Sequence, residues 1–232
     1  NNEEKVLLKK VYESFERNGA TLNDEEKQRF TEKQIELSTL TLQFNQNILK
    51  ETNEFLLHIE NEKDLSGLPD TAIEAAVQTA KEMGKNGWVF TLHAPSYIPF
   101  ITYADNRNLR QKIYMAKNTL CTKDSLTNNF DSVRQIVNLR MELAQILGFK
   151  NHADYVLTKR MAENQENVNN LIERLLDAYY PKAQEELNEL LEIAKEIEGP
   201  DFQVKPWDIA YYSHKLKLKK YNLDAEMLRP YF

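Results

Sequence analysis

From residue 24 to residue 55 the chain meets neither proline nor glycine. Phe30, Leu37 and Phe44 recur every seven residues, and Ile35, Leu42, Leu49 and Leu56 do the same, with Leu40 and Ile48 widening the stripe. An apolar period of seven kept up for that long predicts a helix in a bundle or a coiled-coil-like arm. Thr39, Thr41 and Thr52 weaken it mildly without breaking it. The heptads are imperfect, which favours a partner within the same chain over a dimer. A chain built round such a rod is constrained to be largely helical.

The neighbouring segments agree. Residues 6–17 place Leu7, Leu8, Val11, Tyr12 and Phe15 on one face, and Asn18-Gly19 is a stop. Asn23 caps the long helix with Glu26 as the reciprocal acid. Pro69 opens a helix that ends near Gly84, with a small-residue face at Ala72, Ala75, Ala76 and Ala80. Residues 88–92 are the best strand candidate, and residues 98–103, with Pro95 and Pro99 around them, are the next extended segment; together the two suit a hairpin or a small two-stranded element. Asp105 or Asn106 caps a helix to about Lys117. Residues 125–147 read as helix with Ile136, Val137, Leu139, Leu143 and Leu147 inward, closed by Gly148. Asn151 caps a short helix holding Ala153, Tyr155 and Val156. Residues 166–197 form a very long helix, bent near Pro181 and closed by Gly199-Pro200. Pro206 and Trp207 lead into a lysine-rich helix ending near Tyr221, and Asp224 caps a last turn. The expected fold class is mainly α: a long-helix bundle with a small extended or two-stranded element near residues 88–103.

At 232 residues, 41% of them hydrophobic, the chain buries a real core, roughly 70% of its extended surface. It is read as one helical piece over 1–232, with possible sub-regions 1–103 and 104–232. A net charge of −6 argues against a general nucleic-acid surface while leaving room for a local basic patch. The lone Cys121 excludes an internal disulfide and fits a reducing compartment. The start, Asn1-Asn2-Glu3-Glu4, carries no signal-peptide pattern, and no apolar run is long enough to span a membrane.

Chemistry is sparse. The four histidines stand far apart, and none has a second His or a Cys within the two to five residues typical of a zinc nucleus. His58, with Glu54 and Glu62 four residues to either side, reads as a charged solvated face. His152 reads as a helix-start residue and His214, after Tyr211-Tyr212, as packing. His93, beside Pro95, is a candidate for lining a cleft. Cys121 near Lys123 reads as an ordinary cysteine, because no motif supports reactivity. Serine-hydrolase, P-loop and dinucleotide motifs are absent. Glu25-Glu26 and Glu185-Glu186 need only solvation. Most of the tyrosines (Tyr97, Tyr103, Tyr179-Tyr180, Tyr211-Tyr212 and Tyr231 among them) read as packing, with a peptide groove as the second reading. Lys215, Lys217, Lys219 and Lys220 read as a solvated helix face, and Arg110, Arg134, Arg140 and Arg160 as salt-bridge residues. No catalytic, cofactor-binding or metal residue is assigned.

Six stretches carry a family resemblance: residues 37–55 (LSTLTLQFNQNILKETNEF), 104–116 (ADNRNLRQKIYMA), 140–162 (RMELAQILGFKNHADYVLTKRMA), 181–190 (PKAQEELNEL), 205–217 (KPWDIAYYSHKLK) and 221–232 (YNLDAEMLRPYF). In this order they resemble the thimet-oligopeptidase-like zinc metallopeptidases, nearest to the bacterial peptidyl-dipeptidases and oligopeptidase A. The resemblance implies a helical, two-lobed parent whose deep channel admits short peptides. It implies a zinc held by the two histidines of an HExxH helix and a glutamate on the next helix, all after the LRPYF-like segment. This chain would then be an internal piece upstream of that site, inactive alone. It would serve as scaffold and channel wall, with residues 88–103 near the cleft. The parent would take short peptide substrates, the partner of this piece would be the missing C-terminal catalytic lobe, and the expectation is a monomer in the cytoplasm or the periplasm. Read without the resemblance, the long helices also suit a non-catalytic protein-interaction module. A weaker reading is a small enzyme using His93, His152 and acidic side chains.

Overall fold

The computed structural model describes every residue except Arg229, Pro230 and Phe232, together with all side chains but that of Ala225. The end of the LRPYF stretch therefore lies partly outside the described residues. Among the described residues ten α-helices follow in order: α1 (Asn2–Arg17), α2 (Asp24–Glu54), α3 (Asp70–Glu82), α4 (Ala94–Tyr103), α5 (Arg107–Asn118), α6 (Phe130–Ile146), α7 (His152–Leu157), α8 (Gln165–Glu198), α9 (Ile209–Tyr221) and α10 (Ala225–Leu228). Strands β1 (Leu57–Ile59) and β2 (Trp88–Phe90) form one antiparallel pair, with Leu57 opposite Phe90 and Ile59 opposite Trp88. The chain divides into two compact units, Asn1–Asn47 with Asn128–Leu176, and Ile48–Thr127 with Asp177–Phe232. The divisions at 47/48 and 176/177 fall inside α2 and α8.

Helix boundaries follow the caps. The Asn23 carboxamide accepts from the Glu26 amide at 2.9 Å while the Glu26 carboxylate accepts from the Asn23 amide at 3.3 Å, a capping box that starts α2. Asn106 starts α5 by accepting from the Asn108 and Leu109 amides, and Asn151 starts α7 by accepting from Asp154. In the first unit Phe30 is 4% exposed and Leu37, Leu40 and Phe44 are half-buried, so this register of the two heptad stripes faces inward. The other points to solvent: Ile35, Leu42 and Leu49 are 58–63% exposed. The core of α6 is Ile136, Leu139, Leu143 and Ala144; Val137, expected inward, is exposed. The Asn129 carboxamide ties the start of α6 to α2, donating to the Phe44 carbonyl at 3.1 Å and accepting from Asn47 at 2.9 Å.

The second unit is built on Leu57, Ile59, Leu68, Phe90, Leu92, Phe100, Ile101 and Ile113, with α3, α4 and α5 around the strand pair. Here one expectation fails. The two-stranded element exists, but β2 pairs with β1, and residues 98–103 lie within helix α4. The prolines do not prevent this. Pro95 occupies the first turn, where its missing N–H has no partner to lose, and Pro99 forfeits a single bond. Helical spacing then places Tyr97, Phe100, Ile101 and Ala104 on the core, with the Phe100 ring 4.7 Å edge-on to Phe90. Helix α6 also starts five residues later than expected, at Phe130. Residues 119–128 loop instead over Glu51, whose carboxylate accepts from the Cys121 amide at 2.7 Å and from the Thr127 hydroxyl. A smaller cluster, Leu190, Ile193, Ala194, Tyr211 and Tyr212, joins the end of α8 to α9.

Candidate functional site

The densest gathering of charged groups lies in the second unit, where α4 hands over to α5. Asp208, fully buried in the turn before α9, accepts from Arg107 (Nη2 2.7 Å, Nε 3.1 Å), from Arg110 Nη2 at 3.0 Å and from the Lys205 amide at 2.9 Å. Arg110 is itself 1% exposed; it also donates to the Ala104 carbonyl at 2.7 Å and stacks on the Tyr211 ring at 4.0 Å. Arg107 is 39% exposed and stacks on Phe202. Burial alone would raise the Asp208 pKa, but the hydrogen bonds from Arg107, Lys205 and Arg110 outweigh it and hold the carboxyl below its ordinary value. Two arginines three residues apart on α5 therefore grip one carboxylate, fixing α5 against the turn that begins α9.

A second carboxylate, Asp105, is half-solvated. It accepts from the Ser66 hydroxyl at 2.7 Å and the Tyr211 hydroxyl at 2.8 Å, with Lys215 at 3.8 Å. These partners lower its pKa against the opposing effect of burial. Beside it the Tyr103 hydroxyl donates to Asp224 at 3.1 Å and the Tyr103 ring meets His214 edge-on at 4.6 Å. Burial, then the Asp224 charge, pushes the Tyr103 phenol up to about 12; burial also lowers the His214 pKa, with Asp224 opposing. Tyr211 and Tyr212 are buried and shifted upward, first by burial and then by donating to Asp105 and Glu198. Three lysines of α9 meet carboxylates: Lys215 pairs with Asp105 and also lies 4.8 Å above the Tyr211 ring, Lys219 meets Glu196 and Lys220 meets Glu189. Lys217, Lys219 and Lys220 are exposed, as a solvated face requires, whereas Lys215 is half-buried.

The remaining candidates are dispersed. His58 sits on β1, off any helix, so the shared face with Glu54 and Glu62 does not form; its Nε2 lies 2.6 Å from the Asn86 carbonyl oxygen. His93 is exposed at the cap position of α4, where its carbonyl accepts from Ser96 and Tyr97. His152 starts α7 in the first unit, half-buried against Tyr155, and burial lowers its pKa. Cys121 is 2% exposed at φ +57, with its thiol pKa pushed up by burial and then by the Glu51 charge, the opposite of an activated nucleophile. Arg134 pairs with Asp131 on the surface, Arg140 lines a small cavity of about 140 Å³ with Phe30, Leu143 and His152, and Arg160 is exposed. Among the described residues no three His, Cys, Asp or Glu side chains converge to hold a metal ion. The described residues therefore do not fit the zinc that the resemblance implies. The reading of the sequence missed Asp208, Arg107 and Glu51. The signal available for the first two was Arg107 and Arg110 at i, i+3 directly behind a capping asparagine.

The surface is more telling. Helix α1 has no buried residue; Leu7, Leu8, Val11, Tyr12 and Phe15 are 43–70% exposed. Its polar side faces α7 instead, across a groove of about 640 Å³ where Lys159 pairs with Glu13 and Arg17 stacks on Tyr155 at 4.0 Å. Along α8 every residue from 169 to 189 is exposed, including Leu171, Ile172, Leu175 and Leu176. Tyr179, Tyr180 and Tyr231, read as packing, are exposed as well.

Comparison with known proteins sets these helices and their exposed apolar faces in a longer context. The chain is 37% identical to oligopeptidase A of Haemophilus influenzae, over 99% of this chain but 34% of that protein. It is 36% identical to oligopeptidase A of Escherichia coli, over 100% of the chain and 35% of that protein. Against dipeptidyl carboxypeptidase of E. coli it is 27% identical over 97% of the chain and 33% of that protein. It thus spans about a third of the length of the curated relatives it matches. The family model described as peptidase family M3 matches residues 100–232, more than half of the chain, and the chain belongs to that family.

Proposed function

We propose that this chain is the helical scaffold and channel wall of a zinc-dependent peptidase that cleaves short peptides, with the chemistry supplied from outside these 232 residues. The observation that carries this is the run of similarity, which covers the chain from end to end yet only about a third of an oligopeptidase A. The higher identity to oligopeptidase A, 37% against 27% for the dipeptidyl carboxypeptidase, favours cleavage within short peptides over release of C-terminal dipeptides. Zinc follows from the family resemblance, and no residue of this chain is assigned to it. In that reading residues 1–232 act as one part of a two-lobed enzyme of the cytoplasm or periplasm, with residues 88–103 near the peptide. What the described residues contribute is rigidity: the Arg107–Asp208–Arg110 grip and the Glu51 clasp hold helices and loop in place.

The test is to extend the reading frame past Phe232 and assay the longer polypeptide on a short fluorogenic peptide blocked at both ends. Turnover that a chelator abolishes and zinc restores is the expected result, with none from the 232-residue chain. Turnover by the short chain itself, or activity indifferent to chelation, would overturn the proposal. The exposed apolar faces of α1, α2 and α8 favour a second reading, a helical interaction module. A stable dimer of the 232-residue chain in light scattering, with no peptidase in the longer frame, would select it.

A further inference from the structure

Helix α8 carries two parallel rows of apolar side chains, Leu171–Leu175–Tyr179 and Ile172–Leu176–Tyr180, each with a step of four residues. All six are 44–66% exposed. The opposite side is polar, with Glu166, Asn170, Arg174 and Asp177. Rows spaced by four are the ridges that interdigitate when one α-helix packs on another, at an interaxial angle of about −50° or +20°. A lipid surface fits poorly, because the polar side mixes acids with a single arginine where an anionic membrane calls for lysine and arginine.

We infer that the groove between these two rows is the seat of an amphipathic helix belonging to the same polypeptide but lying outside residues 1–232. Two thirds of the length of the relatives lies outside the matched region, and that is the polypeptide available to cover the face. The occupant presents aliphatic knobs to Leu175 and Leu176 and polar groups to the hydroxyls of Tyr179 and Tyr180, which seek hydrogen-bond partners when covered. This inference rests on the reading of the chain as part of a longer peptidase and adds which face of α8 the rest of the protein uses.

The test is site-specific photocrosslinking in the longer polypeptide. A benzophenone amino acid replaces Leu175 in one variant and Tyr179 in a second, whose ring it resembles in size; Asp177 serves as the polar-face control. Crosslinks from positions 175 and 179 to a peptide outside residues 1–232 of the same molecule, with none from 177, are expected. Crosslinks between two molecules would assign the face to a second copy and overturn the inference. So would an absence of crosslinks at both positions, or crosslinks from position 177 to the same peptide. Peptidase activity is measured on the same preparations. Crosslinks without activity would leave the docking face standing and remove the peptidase reading, whereas activity without crosslinks would do the reverse.

Discussion

At the scale of single residues, Asp208 is where one side chain matters most. Its carboxylate and Arg110 are both out of contact with water, so Asp208→Ala leaves a buried guanidinium without its counter-charge. Loss of one partner of such a pair costs about 3–5 kcal/mol. Urea denaturation should show that fall for Asp208→Ala and a smaller one for Arg107→Ala, because Arg107 is 39% exposed and water can replace its partner. Titration acts on the same region. The native Tyr103 phenol sits at about 12 and those of Tyr211 and Tyr212 are also raised, so the folded state favours the protonated phenols. Their contribution is complete below the ordinary tyrosine pKa of about 10 and is lost as pH rises beyond it. His152 and His214 are lowered, so theirs is complete above the ordinary histidine pKa of about 6.5 and is lost as pH falls below it. The urea midpoint should form a plateau between those limits, and Tyr103→Phe should flatten its alkaline side. A midpoint that keeps rising above the tyrosine range would contradict the assignment. The caps Asn23 and Asn151 were legible in the sequence, and Asn106 as one of two alternatives with Asp105, because a cap is a local event. Asp208 was not, because its partners lie about 100 positions away in the chain.

At the scale of elements, close approach replaces charge as the deciding factor. Gly67 sits at φ +86, where a Cβ would stand 2.3 Å from the Tyr103 carbonyl oxygen. Gly67→Ala must push the loop before α3 away from the end of α4 as well as adopt a left-handed backbone. It should cost more than the roughly 1 kcal/mol of an ordinary glycine replacement and lower the thermal midpoint accordingly. Gly84→Ala, with nothing near the added carbon, serves as the comparison in the same scan. The helices were readable wherever apolar periodicity ran for several turns. Residues 98–103 were not, because β-branched and aromatic side chains beside two prolines look like an edge strand. The competing pattern, Tyr97, Phe100, Ile101 and Ala104, becomes decisive only once Phe90 supplies a surface to pack against. The later start of α6 likewise depends on Glu51, a residue of α2, collecting the loop that precedes it.

At the scale of the whole molecule, the helical class was legible and the family followed from the order of six stretches. A reaction centre was not, because no pair of metal-binding side chains stands at a workable spacing and no such group assembles among the described residues. What the chain has in its place is continuity. Of the three points where it passes from one compact unit to the other, two lie inside uninterrupted helices, at 47/48 in α2 and 176/177 in α8. Fraying a helix in its middle breaks hydrogen bonds on both sides of the break, so neither unit can melt without loosening turns that belong to the other. Calorimetry should therefore record one heat-absorption peak in which the calorimetric and van't Hoff enthalpies agree, where two units joined by slack linkers would give two. The third crossing, in the loop that carries the almost fully exposed Leu126, is the one of the three that offers a protease a cut with no helix in the way. A single nick there should leave the two halves migrating together until denaturant is added, as a beam carries its load after a bolt has been drawn.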